Sequence, residues 1–199
     1  MKKIFLTIFA ALVMICGVSV NSNAQNEFYV GTLGLNFGLG CGTVNHAENH
    51  WNNIFLPSFN FAADYSFLPN VINSNGSVSG GLYFGIGSGS RTEYQSLHKR
   101  DVKFSDFCWR IGTRGALHYT WVRNLDTYAG VAFGMKHQTY KRDYVGENEV
   151  PKRDETDFDS YGFGGARYKF NQSVAVFSEV ATTHYAWFQI GVSVMLQVN

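Results

Sequence analysis

The chain has 199 residues, with 16 Lys and Arg against 15 Asp and Glu, six His and a formal net charge of +1. That balance excludes the basic footprint of a nucleic-acid binder, and three cysteines exclude a disulfide framework. Gly 21, Phe 17 and Tyr 11 beside Pro 3, without helix-favouring runs, point to an all-β chain.

The first element is a leader. Met1-Lys2-Lys3, an apolar run over 4–20 and a small residue at Ala24 predict a secretory signal peptide over 1–24, cut before Gln25. The apolar run is too short for a membrane helix, which needs about 20 such residues. Cys16 follows Ile15, where a lipoprotein signal wants a small residue. Loss of the leader removes Lys2 and Lys3 and leaves 14 basic residues against 15 acidic, in a single domain over 25–199. Cys41 and Cys108 remain, enough for one bridge at most; whether they are bonded stays open.

Eight strands follow, predicted at 28–39, 54–67, 78–89, 105–122, 126–140, 157–170, 173–183 and 186–198. Long polar loops at 40–53, 90–104 and 141–156 alternate with short turns around 68–77, 123–125 and 171–173. That alternation is the habit of outer-membrane barrels, with both chain ends on the short-turn side.

The polarity of the strands decides the solvent. In the last one Phe188, Ile190, Val192, Val194, Leu196 and Val198 alternate with Gln189, Gly191, Ser193 and Gln197, the period-two pattern of a two-faced strand. In the fourth, Trp109, Ile111, Leu117, Tyr119 and Trp121 oppose Arg110, Gly112, Arg114, Ala116 and His118. Eight strands enclose a lumen only just wide enough for side chains. The bulky face therefore belongs in lipid and the charged, glycine-rich face in the lumen, and the ring must close because hydrocarbon cannot satisfy an open sheet edge. Tyr119, Trp121, Tyr168 and Phe170, next to short turns, are placed for an aromatic girdle. The expectation is an all-β, eight-stranded, antiparallel up-and-down transmembrane β-barrel.

Inward parity collects Asp64, Arg110, Arg114, Lys136, Arg167, Lys169 and Glu179. Buried charges must be paired, so these seven are predicted to form a lumenal ion-pair network that fills the barrel. A three-residue turn at 123–125 would set Arg114 across from Gly134 and Gly112 across from Lys136. Turns of the same length at 171–173 and 183–185 set Arg167 opposite Phe177 and Glu179 opposite Gln189. Arg167 then becomes the nearest diagonal partner of Glu179.

The Ala24-Gln25 junction and the segments GGLYFGIG (80–87), YGFGGAR (161–167) and QIGVSV (189–194) together resemble the small eight-stranded outer-membrane barrels, specifically the porin-family-like β-barrel proteins of Bacteroidetes-type bacteria. The resemblance covers the mature chain. It implies an outer-membrane location, assembly by the barrel-assembly machinery and activities that are mostly unknown; no cofactor is expected. The chain departs from the family's usual aromatic last residue, ending Leu196-Gln-Val-Asn199.

Other candidate chemistry lies in the loops. Arg91, Lys99, Arg100 and Lys103 could meet lipopolysaccharide phosphates, whereas His46, Glu48 and His50 read as a polar surface loop rather than a zinc site. Some eight-stranded barrels are lipid A deacylases with a His-x-Ser and a later Glu; the nearest match is His137-Gln-Thr139 with Glu147 or Glu149. The functional expectation is a non-enzymatic, monomeric outer-membrane protein with a structural or adhesive envelope role. A lipid A-modifying enzyme and a narrow channel are the alternatives.

Overall fold

The computed structural model describes residues 28–45, 53–95, 100–144 and 152–198. The expected leader lies outside them, as do His46, Glu48, His50, Lys99, Glu147 and Glu149. The strands are β1 (Thr32–Asn45), β2 (Asn53–Pro69), β3 (Val71–Ser74), β4 (Gly76–Gln95), β5 (Arg100–Val122), β6 (Leu125–Tyr144), β7 (Arg153–Lys169), β8 (Val174–Ala181) and β9 (Phe188–Gln197). Eight of them close a barrel in the order β1-β2-β4-β5-β6-β7-β8-β9, every neighbouring pair antiparallel. The short β3 stands outside the ring, in the connection between β2 and β4.

The polarity is that of a membrane barrel. Leu39, Phe59, Leu82, Ile111, Phe133 and Ile190 are 50–66% exposed on the outer wall, whereas Asp64, Arg110, Arg114, Arg167 and Glu179 are buried within. Such a surface would be untenable in water, and closure leaves no lipid-facing edge. Near the short turns Tyr119 packs edge-on against Trp121 and Tyr168 against Phe170, with centroids 4.6 and 5.6 Å apart. They form the aromatic girdle of the periplasmic interface.

Three features differ from the sequence reading. First, the ladders are taller: β1–β2 remains paired through 40–45, β4–β5 through 90–95 and 100–104, β5–β6 through 141–144 and β6–β7 through 153–156, where loops were expected. Above the membrane the outward face turns toward water, as at Lys103 and Ser105, while Val102 and Phe104 stay buried on the inward one, so the apolar half of the pattern thins while the ladder continues. Second, the strand expected from residue 28 starts at Thr32, because the chain turns inward through Gly31 (φ 83) and buries Phe28 in the lumen.

Third, the β5–β6 register is shifted by two. The turn is Arg123-Asn124, with Asn124 in the left-handed region (φ 69), and a bulge between Thr120 and Val122 takes up one residue. Arg114 therefore faces Ala132, Gly112 faces Gly134, and Arg110 faces Lys136. The inward face survives only because turn and bulge together shift the pairing by an even number. At the other two turns the expected partners do face each other: Arg167 and Phe177, Glu179 and Gln189.

β8 and β9 are the shortest strands of the ring, and the connection between them does not rise above it. Residues 182–187 fold over the outer mouth instead: Thr43 N donates to His184 O at 2.7 Å and Tyr185 Oη donates to Gln138 at 2.6 Å. A glycine makes room for this strap, since a Cβ on Gly42 would fall 2.3 Å from the Tyr185 carbonyl. Gly42→Val is thus expected to dislodge the strap and leave the ring intact. Limited proteolysis should then cut near His184 in the variant but not in the parent.

The lumen and its charge ladder

Inside the barrel the charged groups lie in tiers, each held by a different set of strands. Nearest the outer mouth, Gln138 donates to Asp106 at 2.6 Å, and Lys136 lies 3.4 Å from Asp157, directly across the β6–β7 ladder. The register sets two cations, Arg110 and Lys136, face to face. Like charges directly opposed are unfavourable, and β7 relieves the clash by supplying Asp157 to one and Asp159 to the other. Arg110 Nη1 lies 3.7 Å from Asp159 and also donates to Thr183, while Nη2 donates to Asn60. Tyr83 donates to the same Asp159 at 3.1 Å, and its ring meets Tyr161 edge-on.

The central tier turns on Arg114. Its Nη2 donates to Glu179 at 2.9 Å and its Nε stands 3.1 Å from Asp64, so one guanidinium from β5 joins carboxylates on β2 and β8. The Phe163 ring lies 3.9 Å beneath the guanidinium, a cation–π contact in a desolvated site. Gln189, opposite Glu179 on β9, donates to its second oxygen, and Asn36 donates to Asp64 at 2.9 Å. A void of only about 20 Å³ remains between Asn60, Tyr83, Arg110, Arg114, Glu179 and Gln189.

Below it, Arg167 is fully buried and its Nη1 lies 3.5 Å from Asp126, directly across the β6–β7 ladder. The same guanidinium donates to Asn36. Asp126 also receives His118: Nδ1 lies 2.9 Å from its Oδ2, and Nε2 lies 2.9 Å from Ser79 Oγ. Phe28 stacks on the imidazole, centroids 4.3 Å apart. Its carbonyl accepts from Ser66 and Ser77, which anchors the inward turn of the chain.

Serine, histidine and aspartate stand here in the order of an acyl-transfer relay. All three are buried under Phe28, with no path for a substrate to the hydroxyl. Asp126 and Ser79 each bond one imidazole nitrogen, which satisfies a histidine that has no water to turn to.

The structure thus brings together six of the seven lumenal residues named from sequence in tiers, in pairs that differ from the expected ones. Glu179 belongs to Arg114 rather than to Arg167; it stands opposite Gly165 on β7, while Arg167 is taken by Asp126. Lys136 sits at the mouth, half-open, and Lys169, buried, at the opposite end. Asp126, Asp159 and Phe28 were missed. Parity alone would have found both acids, since Asp126 shares a face with Lys136 and Asp159 with Arg167. For Phe28 there was no signal, because an inward turn before the first strand leaves no periodicity.

Of the loop cations, Arg91 and Lys103 are exposed on β4 and β5. Lys103 faces the outer wall, while Arg91 is paired with Phe104 on the inward parity. Arg100 is the first residue of β5. His137 and Thr139 do lie on the outer wall, but each bonds across to β7 rather than to the other. Thr139 donates to Asp154 at 2.7 Å and His137 Nδ1 is 2.7 Å from Thr156 Oγ1. The Thr139 hydroxyl holds the Asp154 carboxyl below its ordinary pKa. The proton that a nucleophile must give to its base therefore points at a carboxylate. Cys41 and Cys108 are both free, one on the outward parity of β1 and the other buried on the inward face of β5.

No family model and no curated protein matches the chain. Among solved structures it is similar to Ail, the attachment invasion locus protein of Yersinia pestis, at 9% identity and a TM-score of 0.47, over 83% of this chain and 95% of that one. The same protein in complex with the heparin analogue sucrose octasulfate aligns at 11% identity and a TM-score of 0.46, over 83% and 95%. Neisserial surface protein A aligns at 10% identity and a TM-score of 0.48, over 84% and 97%. The closed ring, its apolar outer wall and its charged, packed interior together make this chain an eight-stranded outer-membrane β-barrel.

Proposed function

We propose that the protein is a non-enzymatic envelope protein, sealed against transport, that works through the sheet it raises above the membrane. The observation that carries this reading is the uneven wall. β4, β5, β6 and β7 have 20, 23, 20 and 17 residues and β1 and β2 have 14 and 17, while β8 and β9 have only 8 and 10. The longest of that surplus projects as a four-stranded sheet, β4 to β7, beyond the level of Trp109, Met135 and Phe158, where Lys103, Ser105, Thr139, Lys141, Asp154 and Thr156 join Phe107 on the outer face. A rigid, water-facing sheet on a filled barrel suits adhesion better than passage of solutes.

Lys103 and Lys141 lie diagonally across the β5–β6 ladder, on the outward parity just above the apolar belt. This is the level of outer-leaflet phosphates, so both are proposed to contact lipopolysaccharide. Arg91, on the other parity, is not. The glycine-and-aromatic alternation over 80–87 and 161–167 supports a finer placement among porin-family-like barrels, as a proposal.

The test is to shorten both hairpins, deleting 90–104 and 141–152 in favour of tight turns. Adhesion of cells carrying the shortened barrel is expected to fall to background while the protein still migrates faster unboiled than boiled. Undiminished adhesion would overturn the reading. Steady conductance of the parent in a planar bilayer would restore the channel, and a lipid A mass change abolished by Thr139→Ala would restore the enzyme.

A further inference from the structure

The sheet that rises above the membrane has two flanks, one on β4 and one on β7. β2 leaves β4 at Pro57: the last β2–β4 pair is Ser58–Gly87, whereas β4 stays paired with β5 up to Gln95–Arg100. β2 itself runs on beside β1 to the Asn45–Asn53 pair, so the wall forks here. Proline has no N–H to carry the next rung of a ladder, which is why the fork opens at this residue. Among the described residues, β4 over 88–95 is paired with β5 alone.

The register fixes which groups face the gap. Thr120 N donates to Asn75 O at 3.0 Å, one step beyond the Gly76–Tyr119 pair. Antiparallel neighbours alternate between bonded and unbonded pairs, so along the unbroken register the odd-numbered residues of β4 bond to β5. Ser90, Thr92 and Tyr94 therefore aim N–H and C=O the other way, into the gap. All three are exposed, Tyr94 at 63%. On β7 the same alternation ends differently. Thr182 N donates to Gly162 O and Gly162 N to Thr182 Oγ1, so the strap has already taken that rung. Above it Asp154, Glu155 and Asp157 are exposed, the kind of charge with which sheets guard an edge. The β4 groups aimed at the gap belong to uncharged residues.

A donor and an acceptor recurring at every second residue, about 7 Å apart, are the complement of another extended main chain. A glycan or an acyl chain has no such repeat. We propose, resting on the outer-sheet reading above, that β4 over Ser90–Tyr94 takes up an extended, proline-poor stretch of another protein as an added strand. Main-chain bonds supply the affinity in this mode of recognition, and the small side chains of Ser90 and Thr92 admit many sequences. The partner is thus a flexible stretch of polypeptide rather than one folded epitope.

The test uses the folded full-length mature barrel in detergent and isothermal titration of an acetylated, amidated hexapeptide of alternating valine and threonine. Its control is the same peptide with every amide N-methylated. The first is expected to bind and the second not to. Thr92→Pro removes one N–H from the gap at a position where an edge strand tolerates proline, and is expected to lose about tenfold in affinity or more. Thr92→Ala keeps the N–H and is expected to bind like the parent; Ser90→Pro, on the same flank, repeats the loss. Equal binding of both peptides, parental binding by both proline variants, or no binding of either peptide would each overturn the proposal. Cells carrying Thr92→Pro are expected to lose adhesion while the barrel keeps its heat-modifiable migration. Undiminished adhesion of Thr92→Pro, with adhesion lost in the shortened barrel, would sink the edge and leave the outer-sheet reading standing.

Discussion

Arg114→Met is expected to cost the folded barrel about 3–5 kcal/mol. The guanidinium stands 2.9 Å from Glu179 and 3.1 Å from Asp64, and both acids are buried. Methionine fills similar volume over the Phe163 ring but leaves two carboxylates in a dry lumen with only Gln189 and Asn36 to donate to them. Removing one side of a buried ion pair costs far more than replacing the whole set with apolar groups. The triple replacement Arg114→Met, Glu179→Leu, Asp64→Leu should therefore recover most of the loss. Urea unfolding in detergent, read as the unboiled-to-boiled mobility shift, measures both. A loss under about 1 kcal/mol, the worth of an exposed pair, would mean that water reaches the tier and the lumen is not sealed.

Gly112→Val is expected to abolish folding rather than weaken it. Gly112 and Gly134 face one another across β5–β6, where a Cβ on Gly112 would lie 2.2 Å from Phe133 O and 2.6 Å from the Gly134 Cα. The same Cβ would lie 2.7 Å from the Tyr83 ring, which crosses the lumen over the glycine pair to donate to Asp159. Two of the three obstacles are backbone and cannot swing aside, so the ladder must part where the barrel is most crowded. The variant should give no heat-modifiable band in a refolding assay. A folded Gly112→Val barrel would show that the β5–β6 ladder can spread at the glycine pair.

Much of this was readable from the chain because lipid enforces a strict code. Every outward residue must be apolar and every inward one must fit a narrow ring, so parity alone placed Arg110, Arg114, Arg167, Lys169 and Glu179 on the inside. Who pairs with whom was not readable, since partners across the lumen depend on the register of every ladder between them. A turn one residue shorter than expected and one bulge beside Trp121 together moved Gly134 from Arg114 to Gly112. Asp126 reaches Arg167 through the β6–β7 ladder, whose long connection offers no turn length from which to count. Above the membrane the outward half of the code lapses, since Lys103 and Ser105 need not be apolar, and the tall hairpins looked like loops even though Val102 and Phe104 stay buried on the inward face.

The uneven wall also decides where the ring gives way first. β8 has 8 residues and β9 has 10, and β9 closes the barrel against β1, the strand farthest from it in sequence. A short ladder offers few bonds to break before it parts, and one that joins distant segments is the last to be repaid for its loop entropy. The arc of β8 and β9 is therefore the barrel's zipper, while the β4–β7 sheet is its frame. Glu179 sits on the zipper and Arg114 on the frame, so the ion pair between them works as a bolt shot across the lumen. With the bolt drawn, amide exchange should quicken in β8 and β9 first, and the barrel would open along that seam while its frame still stood.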